Sequence, residues 1–512
     1  MKKLQRSFLL FCGCLGLLSG GLVAWLNPGR QPWVGFLSAA LLTGAGLYAL
    51  GWLWRKLGGN RALGWAIFLT FLLRLSLGVF LFIALPVLGY DEDPTNAGYL
   101  YLDAYRRDSD AWQLAQSGAP LASAFQAEFT TDQYGGLLSF SALIYRVFSP
   151  DAHRPLLILI LTSLASALGL PFLWQVVRKR WGEKAANLSA WLYTLYPESL
   201  VLGASQMREP LLIGLSAIAA WGVGKWKDDR RASVITLGIS FLCMLFLSFK
   251  AAGAMAAALA IWFWLENIQP NAGKGWRIAG YLLLAALILA GVAFSWSWLV
   301  DSSKYDIYLM ESSSGRVQWE VELIGEKYRA PFLIGYGAAQ PVLPAAIMYP
   351  GIAINRAISI FRSLGWYLLV PLLIAAFLLV WKEQSRENKR LLLYFVVVSV
   401  LWTLVSSARA GGDQWDNPRY RSIFLIWMLI PAAWAYLTTL ERRSPWLWRL
   451  LALEAVYIAF FIQWYLSRYY ADMHRMNFWP MVRLLGGIGF AIIFGGLLFD
   501  WVSAKVRKKH AR

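Results

Sequence analysis

Cysteine and histidine are nearly missing from this chain, with three of each in 512 residues. Cys12, Cys14 and Cys243 all fall inside apolar runs, which excludes a disulfide framework and a Cys-based metal spacing. Three histidines likewise exclude a His-rich metal centre. Charge is scarce as well: Asp, Glu, Lys and Arg make up 15% of the residues, against about a quarter in a soluble protein. A chain with so little charge cannot cover a water-soluble fold of this length. No internal repeat is visible, which argues against the inverted-repeat plan of many transporters. No low-complexity linker divides the chain.

Apolar residues, by contrast, occupy 58% of the positions, and the mean hydropathy is +0.49. Runs near the ~20-residue length that crosses a bilayer recur from end to end, so the chain reads as an all-α polytopic membrane protein. About fourteen spans are expected, at 8–27, 33–54, 62–88, 153–174, 185–205, 208–225, 233–249, 251–267, 278–300, 364–381, 391–408, 421–440, 450–467 and 481–501. The first has the basic start and apolar body of a signal peptide. A second apolar run follows at once, without a small-x-small cleavage site, so a retained helix is expected.

The net charge of +19 invites a nucleic-acid reading, which the placement of the charges removes. With the N-terminus inside, the connections RKLGGNR, RKRWGEK, KWKDDRR, KEQSRENKR and ERRSPWLWR and the tail KVRKKHAR all fall on the inner side. The inner segments together hold 28 of the 48 Lys and Arg but only 8 of the 29 acids. The surplus is the positive-inside bias of a plasma-membrane protein with both termini cytoplasmic. The expected partner is a lipid bilayer, not nucleic acid.

Three intervals then face outward: about 89–152, 301–363 and 409–421. The first is the longest polar interval near the start, and its segment from Gly89 to Gly136 holds eight carboxylates among many aromatics. A loop far longer than a turn requires, yet rich in aromatics, reads as functional rather than disordered. Within it, DAYRRDSDAWQLA has helical spacing: Asp108 and Trp112 are four apart, and Ala111, Leu114 and Ala115 continue the pattern. Asp108 is expected at or near a helix start, where a carboxylate caps and is held in direction. The second interval should form short surface helices broken at Pro and Gly before a span starting near Leu364.

Here the chain resembles membrane glycosyltransferases of the GT-C fold, such as protein O-mannosyltransferases and the aminoarabinose transferase of lipid A. Those enzymes carry an acid in the first outer loop, then a helix with an aromatic about four residues on and a small residue beyond. Asp108, Trp112 and Ala115 match, with Trp in place of the usual Tyr or Phe. The acid usually follows directly on the preceding span, whereas Asp108 stands about twenty residues further on, so Asp103 and Asp110 remain rivals for the role. The segment GGLLSFSALIYRVFSPDAHRPLL resembles the family's surface helix followed by an Arg, Arg154, that opens the next span. Glu209 matches an acid at the outer end of the later helix pair. NPRYRSIFLIWMLIPAAWA resembles the segment with Arg419 and Tyr420 that opens a late span. By this resemblance residues 62–512 form the GT-C-like catalytic domain, and residues 1–61 are two additional helices.

The resemblance implies transfer of a sugar from a polyprenyl-phosphate donor to a glycan, lipid or protein acceptor outside the membrane, with inversion and a loop Asp as general base. The chemistry needs a carboxylate for the acceptor's proton and cations for the departing phosphate. Outer-side cations are Arg154, Arg208, Lys250, Arg356, Arg362, Arg419 and Arg421, and Arg grips phosphate oxygens in bidentate fashion. A divalent metal is used by related enzymes, but no ligand spacing here is diagnostic. Other readings are a polysaccharide polymerase or O-antigen-type ligase, and a lipid-linked sugar flippase, which would want charges along the midplane. Several of these residues also have plain structural readings. Asp108 is then a cap, Glu209 the partner of Arg208, Arg419 and Tyr420 interfacial anchors, and His153 and His474 solvated. Arg74 lies mid-span, where a charge costs on the order of 2.5–3.5 kcal/mol, and is expected to have a buried partner and a structural role.

Overall fold

The computed structural model describes residues 2–126, 135–294, 322, 325–348, 351–469 and 476–510, and every regular element among them is a helix. α1 (Lys2–Leu26) and α2 (Pro32–Lys56) form a hairpin, and α3 (Arg61–Leu88) leads to the first long loop. That loop contains α4 (Leu102–Ser117) and the short apolar α5 (Gly136–Phe148). Then come α6 (Pro155–Leu168), α7 (Leu170–Leu195), α8 (Pro197–Gly203), α9 (Glu209–Lys225), α10 (Arg230–Leu247), α11 (Phe249–Phe263) and α12 (Lys274–Phe294). The second half holds α13 (Glu326–Ala339), α14 (Leu343–Met348), α15 (Ala353–Leu379), α16 (Arg386–Ala410), α17 (Asp416–Ser422), α18 (Leu425–Glu441), α19 (Trp446–Tyr469) and α20 (Phe478–His510).

The helix starts follow from residue chemistry. Proline stands in the first turn of α2, α6, α7, α8 and α9, where its missing N–H costs nothing. Asn60, Asp229, Ser248 and Ser385 cap α3, α10, α11 and α16 through side-chain bonds to a backbone N–H.

Ten helical segments are long and apolar enough to cross a membrane, or eleven if α17 and α18, bent by 74°, count as one broken span. The expectation was fourteen. The difference lies in Pro155–Leu195, a single 41-residue apolar unit where two spans were expected, in α9 and α12, expected as spans but absent from the ten, and in the expected 421–440 span, which enters only as the bent α17–α18 pair. The 41-residue unit is interrupted at Gly182, whose φ of +82° breaks the helix inside the basic connection RKRWGEK. The last two apolar segments, Trp446–Ser467 and Trp479–Ser503, have mean hydropathies of 1.6 and 2.0, yet almost none of their length is buried by the rest of the chain. Helices apolar all round and uncovered by protein require a lipid solvent.

Polar contacts sort the connections into two ends. At one end Asn60 meets Glu183 and Asn187, Arg178 donates to the Gly58 carbonyl, Lys179 pairs with Asp228, and Arg180 reaches Glu266 and Glu387. Arg390 joins this network through Gln269. At the other end the 27–31 connection, the first long loop and the 409–421 segment meet. The first end gathers four of the basic connections, RKLGGNR, RKRWGEK, KWKDDRR and KEQSRENKR, which charge also groups on one side. Seen in the fold, the two N-terminal helices are fastened to the rest by Arg154, and Gly29 and Gly35 leave the room its guanidinium occupies.

Two sequence expectations change. The helix expected from near Leu364 begins at Ala353, so Arg356 and Arg362 stand on α15 and not in a loop. Ile354, Ile358 and Arg362 repeat every four residues on its buried face, a helical stripe that continues the apolar run backward. Asp108 is not at a helix start: α4 begins at Leu102, its first-turn acid is Asp103, and Asp108 lies further in on the buried stripe Ala104, Arg107, Asp108, Ala111, Leu114.

Candidate functional site

Three segments remote in sequence meet at the end opposite the basic connections. α4 brings Asp103, the start of α9 brings Glu209, and α17 brings Asp416 and Arg419. The Arg419 guanidinium is their common point: Nε donates to Glu209 Oε1 at 2.8 Å, and Nη1 donates to Asp103 Oδ2 at 2.8 Å and Asp416 Oδ1 at 3.1 Å. Arg419 and Glu209 are buried, whereas the Asp103 side chain is 55% exposed. Asp413 accepts from the backbone N–H groups of Trp415 and Asp416 and so fixes the turn into α17. Tyr420 lies beneath the Arg409 guanidinium, 4.0 Å from its ring centre.

The charge balance around Asp103 favours its ionised form. Partial burial pushes the carboxyl upward, but Arg419, then Arg107 and Arg208, outweigh it and hold it below the ordinary carboxylate value. Arg107 donates to the Gln206 carbonyl at 2.6 Å, which ties α4 to the turn before α9. Arg208 stands beside Glu209 at 3.9 Å. One oxygen of Glu209 takes the Arg419 bond; the other is buried without a hydrogen-bond partner among the described residues.

Asp108 sits differently. It is 3% exposed, and three donors fill it: Tyr99 Oη at 2.6 Å, Tyr145 Oη at 2.7 Å and His153 Nε2 at 2.9 Å. Trp112 stacks on the His153 ring. The carboxylate therefore binds α4 to α5 and to the entry of α6. His153 is a partner of Asp108 and not a solvated histidine. Asp110, half-buried, points from the same helix.

The outer arginines divide by what already holds them. Arg154 is fully buried and gives its donors to Asp151, Ser149 and the carbonyls of Asn27, Pro28 and Gln31. Arg362 makes a two-pronged pair with buried Glu198 (2.6 and 2.8 Å) and also donates to the Trp415 carbonyl. Glu198, which sequence reasoning did not select, is an acid inside an apolar run; that position was its signal. Arg421 lies on the Trp366 ring, 3.4 Å from its centre, and donates Nη2 to the Gln340 carbonyl, while its buried Nε and Nη1 meet no acceptor among the described residues. Arg356 is exposed near the start of α15, and Lys250 is half-buried in the first turn of α11. Arg74 has the expected buried partners, which are not carboxylates but the Thr70, Tyr193 and Thr194 carbonyls and Ser199 Oγ. It satisfies the carbonyls that end α7.

Among the described residues no group of three or more His, Cys, Asp or Glu is placed to hold a metal ion. The convergent carboxylates Asp103, Glu209 and Asp416 already enclose a guanidinium, so they do not fit a metal centre as they stand. Glu128, Asp132 and His474 lie outside the described residues. No protein-family model matches the chain, and comparison with curated proteins and with solved structures finds no match.

Proposed function

We propose that this chain is a membrane glycosyltransferase of GT-C type that moves a sugar from a polyprenyl-phosphate donor onto an extracytoplasmic acceptor, with Asp103 as the general base. The observation that carries the reading is the junction at Arg419. One guanidinium gathers an acid from the first long loop, one from the start of a middle helix and one from a late segment, and it leaves the first of them open to solvent. This is the set of segments that the resemblance marks, at the end away from the basic connections. The inner, cytoplasmic side is proposed for those connections, in a plasma membrane, from the positive-inside bias.

In the proposed reaction the acceptor hydroxyl oxygen attacks the anomeric carbon as the bond from that carbon to the phosphate oxygen breaks. Polyprenyl phosphate leaves with the bond's electron pair, the configuration inverts, and the hydroxyl proton passes to Asp103. A carboxylate held below its ordinary pKa is a weak base, so it accepts the proton late, when the attacking hydroxyl has become acidic against an oxocarbenium-like carbon. Arg419 holds Asp103 in direction. Its own charge is shared among three acids; Arg208, beside Glu209 at 3.9 Å, and the exposed Arg356 are proposed to meet the donor phosphate.

The test is incubation of the purified protein with a panel of polyprenyl-phosphate sugars while release of free polyprenyl phosphate is followed. Release from one member, lost in Asp103→Asn, supports the reading; no release from any member counts against it.

A further inference from the structure

The basic end carries a cleft that the proposed transfer does not use. It lies between α7 and α9, has a volume of about 240 Å³, and is lined by Gln175, Arg178, Lys179, Trp221, Lys225 and Asp228. A second space of about 100 Å³ shares Val176, Lys179 and Gly224 with it and continues to Trp181 and Trp262. Polar wall and aromatic recess therefore meet at Lys179.

The charges in this cleft do not balance. Lys179 Nζ lies 2.8 Å from Asp228 Oδ2, and Lys225 Nζ lies 3.9 Å from the same oxygen. With Arg178, three cations face a single carboxylate, and Lys179 and Lys225 keep 52% and 33% of their side chains exposed. Lys227, Asp229, Arg230 and Arg231 follow in the same connection, three cations and one further acid. A positive-inside bias needs only a convex basic surface; here the cations line a concave space that opens where two apolar helices end. Trp221 forms one wall and donates to Gln175, and Trp226 follows under Arg230. Indole rings and basic side chains at this depth are the chemistry of the headgroup layer.

We propose that this cleft binds the phosphate headgroup of an anionic phospholipid. Lys179, Lys225 and Arg178 meet the phosphate, and the glycerol backbone lies along Val176 and Trp221. Gly224 supplies the opening: a Cβ there would meet only Val176 Cγ2 at 4.0 Å, so a larger side chain can be added without moving the backbone and would project into the space.

The experiment uses the full chain in neutral detergent, titrated with dioctanoyl phosphatidylglycerol and read by tryptophan fluorescence and melting temperature. Dioctanoyl phosphatidylcholine, glycerol 3-phosphate and inorganic phosphate run beside it. Saturable binding of phosphatidylglycerol is expected, weakened by high salt, with at least tenfold loss in the double variant Lys179→Gln/Lys225→Gln and in Gly224→Leu. Each variant's melting temperature without lipid reports its folding, and the two act by different means, so failure of one to fold leaves the other. Equal response to phosphatidylcholine overturns the proposal, because charge then plays no part. Binding of glycerol 3-phosphate or inorganic phosphate as tight as that of the lipid overturns it in favour of a soluble phosphate. Unchanged affinity in the folded variants overturns the location.

Discussion

Asp103→Asn and Asp108→Asn are expected to fail in opposite ways. The Asp103 side chain is 55% exposed and is one of three acids on Arg419. Asn at this position leaves Glu209 and Asp416 in place, so the stability lost is that of a partly exposed pair, about 0–1 kcal/mol. Turnover is expected to fall 10²–10⁴-fold, the usual worth of a positioned base. Asp108 is 3% exposed and takes three donors at 2.6, 2.7 and 2.9 Å. Asn there can keep its oxygen on Tyr99 and His153 but sets an NH₂ against Tyr145 Oη, which must turn to accept from it, so the bonds to a carboxylate are replaced by weaker neutral ones, about 1.5–3 kcal/mol. The assay pairs polyprenyl-phosphate release with the melting temperature of each purified variant. The pH dependence of turnover adds a second check. Arg419, Arg107 and Arg208 overcome burial and depress the Asp103 carboxyl, so its base form persists in the folded protein until pH falls through that depressed value. The stability its ionisation adds is complete above the unfolded ~3.9 and is lost as pH falls from there through the depressed value. Near-normal turnover in Asp103→Asn refutes the assignment. A dead Asp108→Asn protein with an unchanged melting temperature would move the base to Asp108.

The other predictions separate binding from architecture. Arg208→Ala and Arg356→Ala should each weaken donor binding about tenfold or more, the worth of a charge-assisted bond of ~1.5–3 kcal/mol, while Arg154→Ala should lower the melting temperature instead; donor affinity measured by titration decides between them. Glu198→Gln should cost about 3–5 kcal/mol, because it leaves the Arg362 charge buried and unpaired, whereas Glu198→Met with Arg362→Leu should recover much of it; melting curves of the two that coincide would show that the pair does not hold α8 to α15. In a variant without Cys12, Cys14 and Cys243, cysteines placed at the exposed positions Arg106 and Lys184 should label from opposite sides, Lys184 from the cytoplasm; labelling of both from one side removes the topology.

The arginines show how far residue type alone reaches. A charge inside or beside an apolar run must have a partner, and that much is legible without a fold. Which partner is not, because the pairs are remote: Arg362 and Glu198 are 164 residues apart, and Arg419 and Asp103 are 316 apart. Spacing carries no trace of such meetings. Local features were legible where a turn former or a run of charge marks them, as in the break at Gly182 and the basic connections. The start of α4 was within reach too: carrying the stripe of Ala111 and Leu114 back one turn reaches Arg107 and Ala104, and places Asp108 on the covered face. In the fold the same residue type meets four kinds of surroundings. Arg74 ends a helix on carbonyls; Arg154 closes a loop on carbonyls and one acid; Arg362 is matched by one acid; Arg419 is shared among three. Only the last leaves a carboxylate exposed at its edge. A guanidinium already held by buried acids and carbonyls has less to offer an incoming phosphate, so a roll of outer arginines overstates the number that can bind one. The excess of acid around Arg419 is why the proposed site is placed at that junction, since one of its three carboxylates is held in place by the cation yet remains open to solvent.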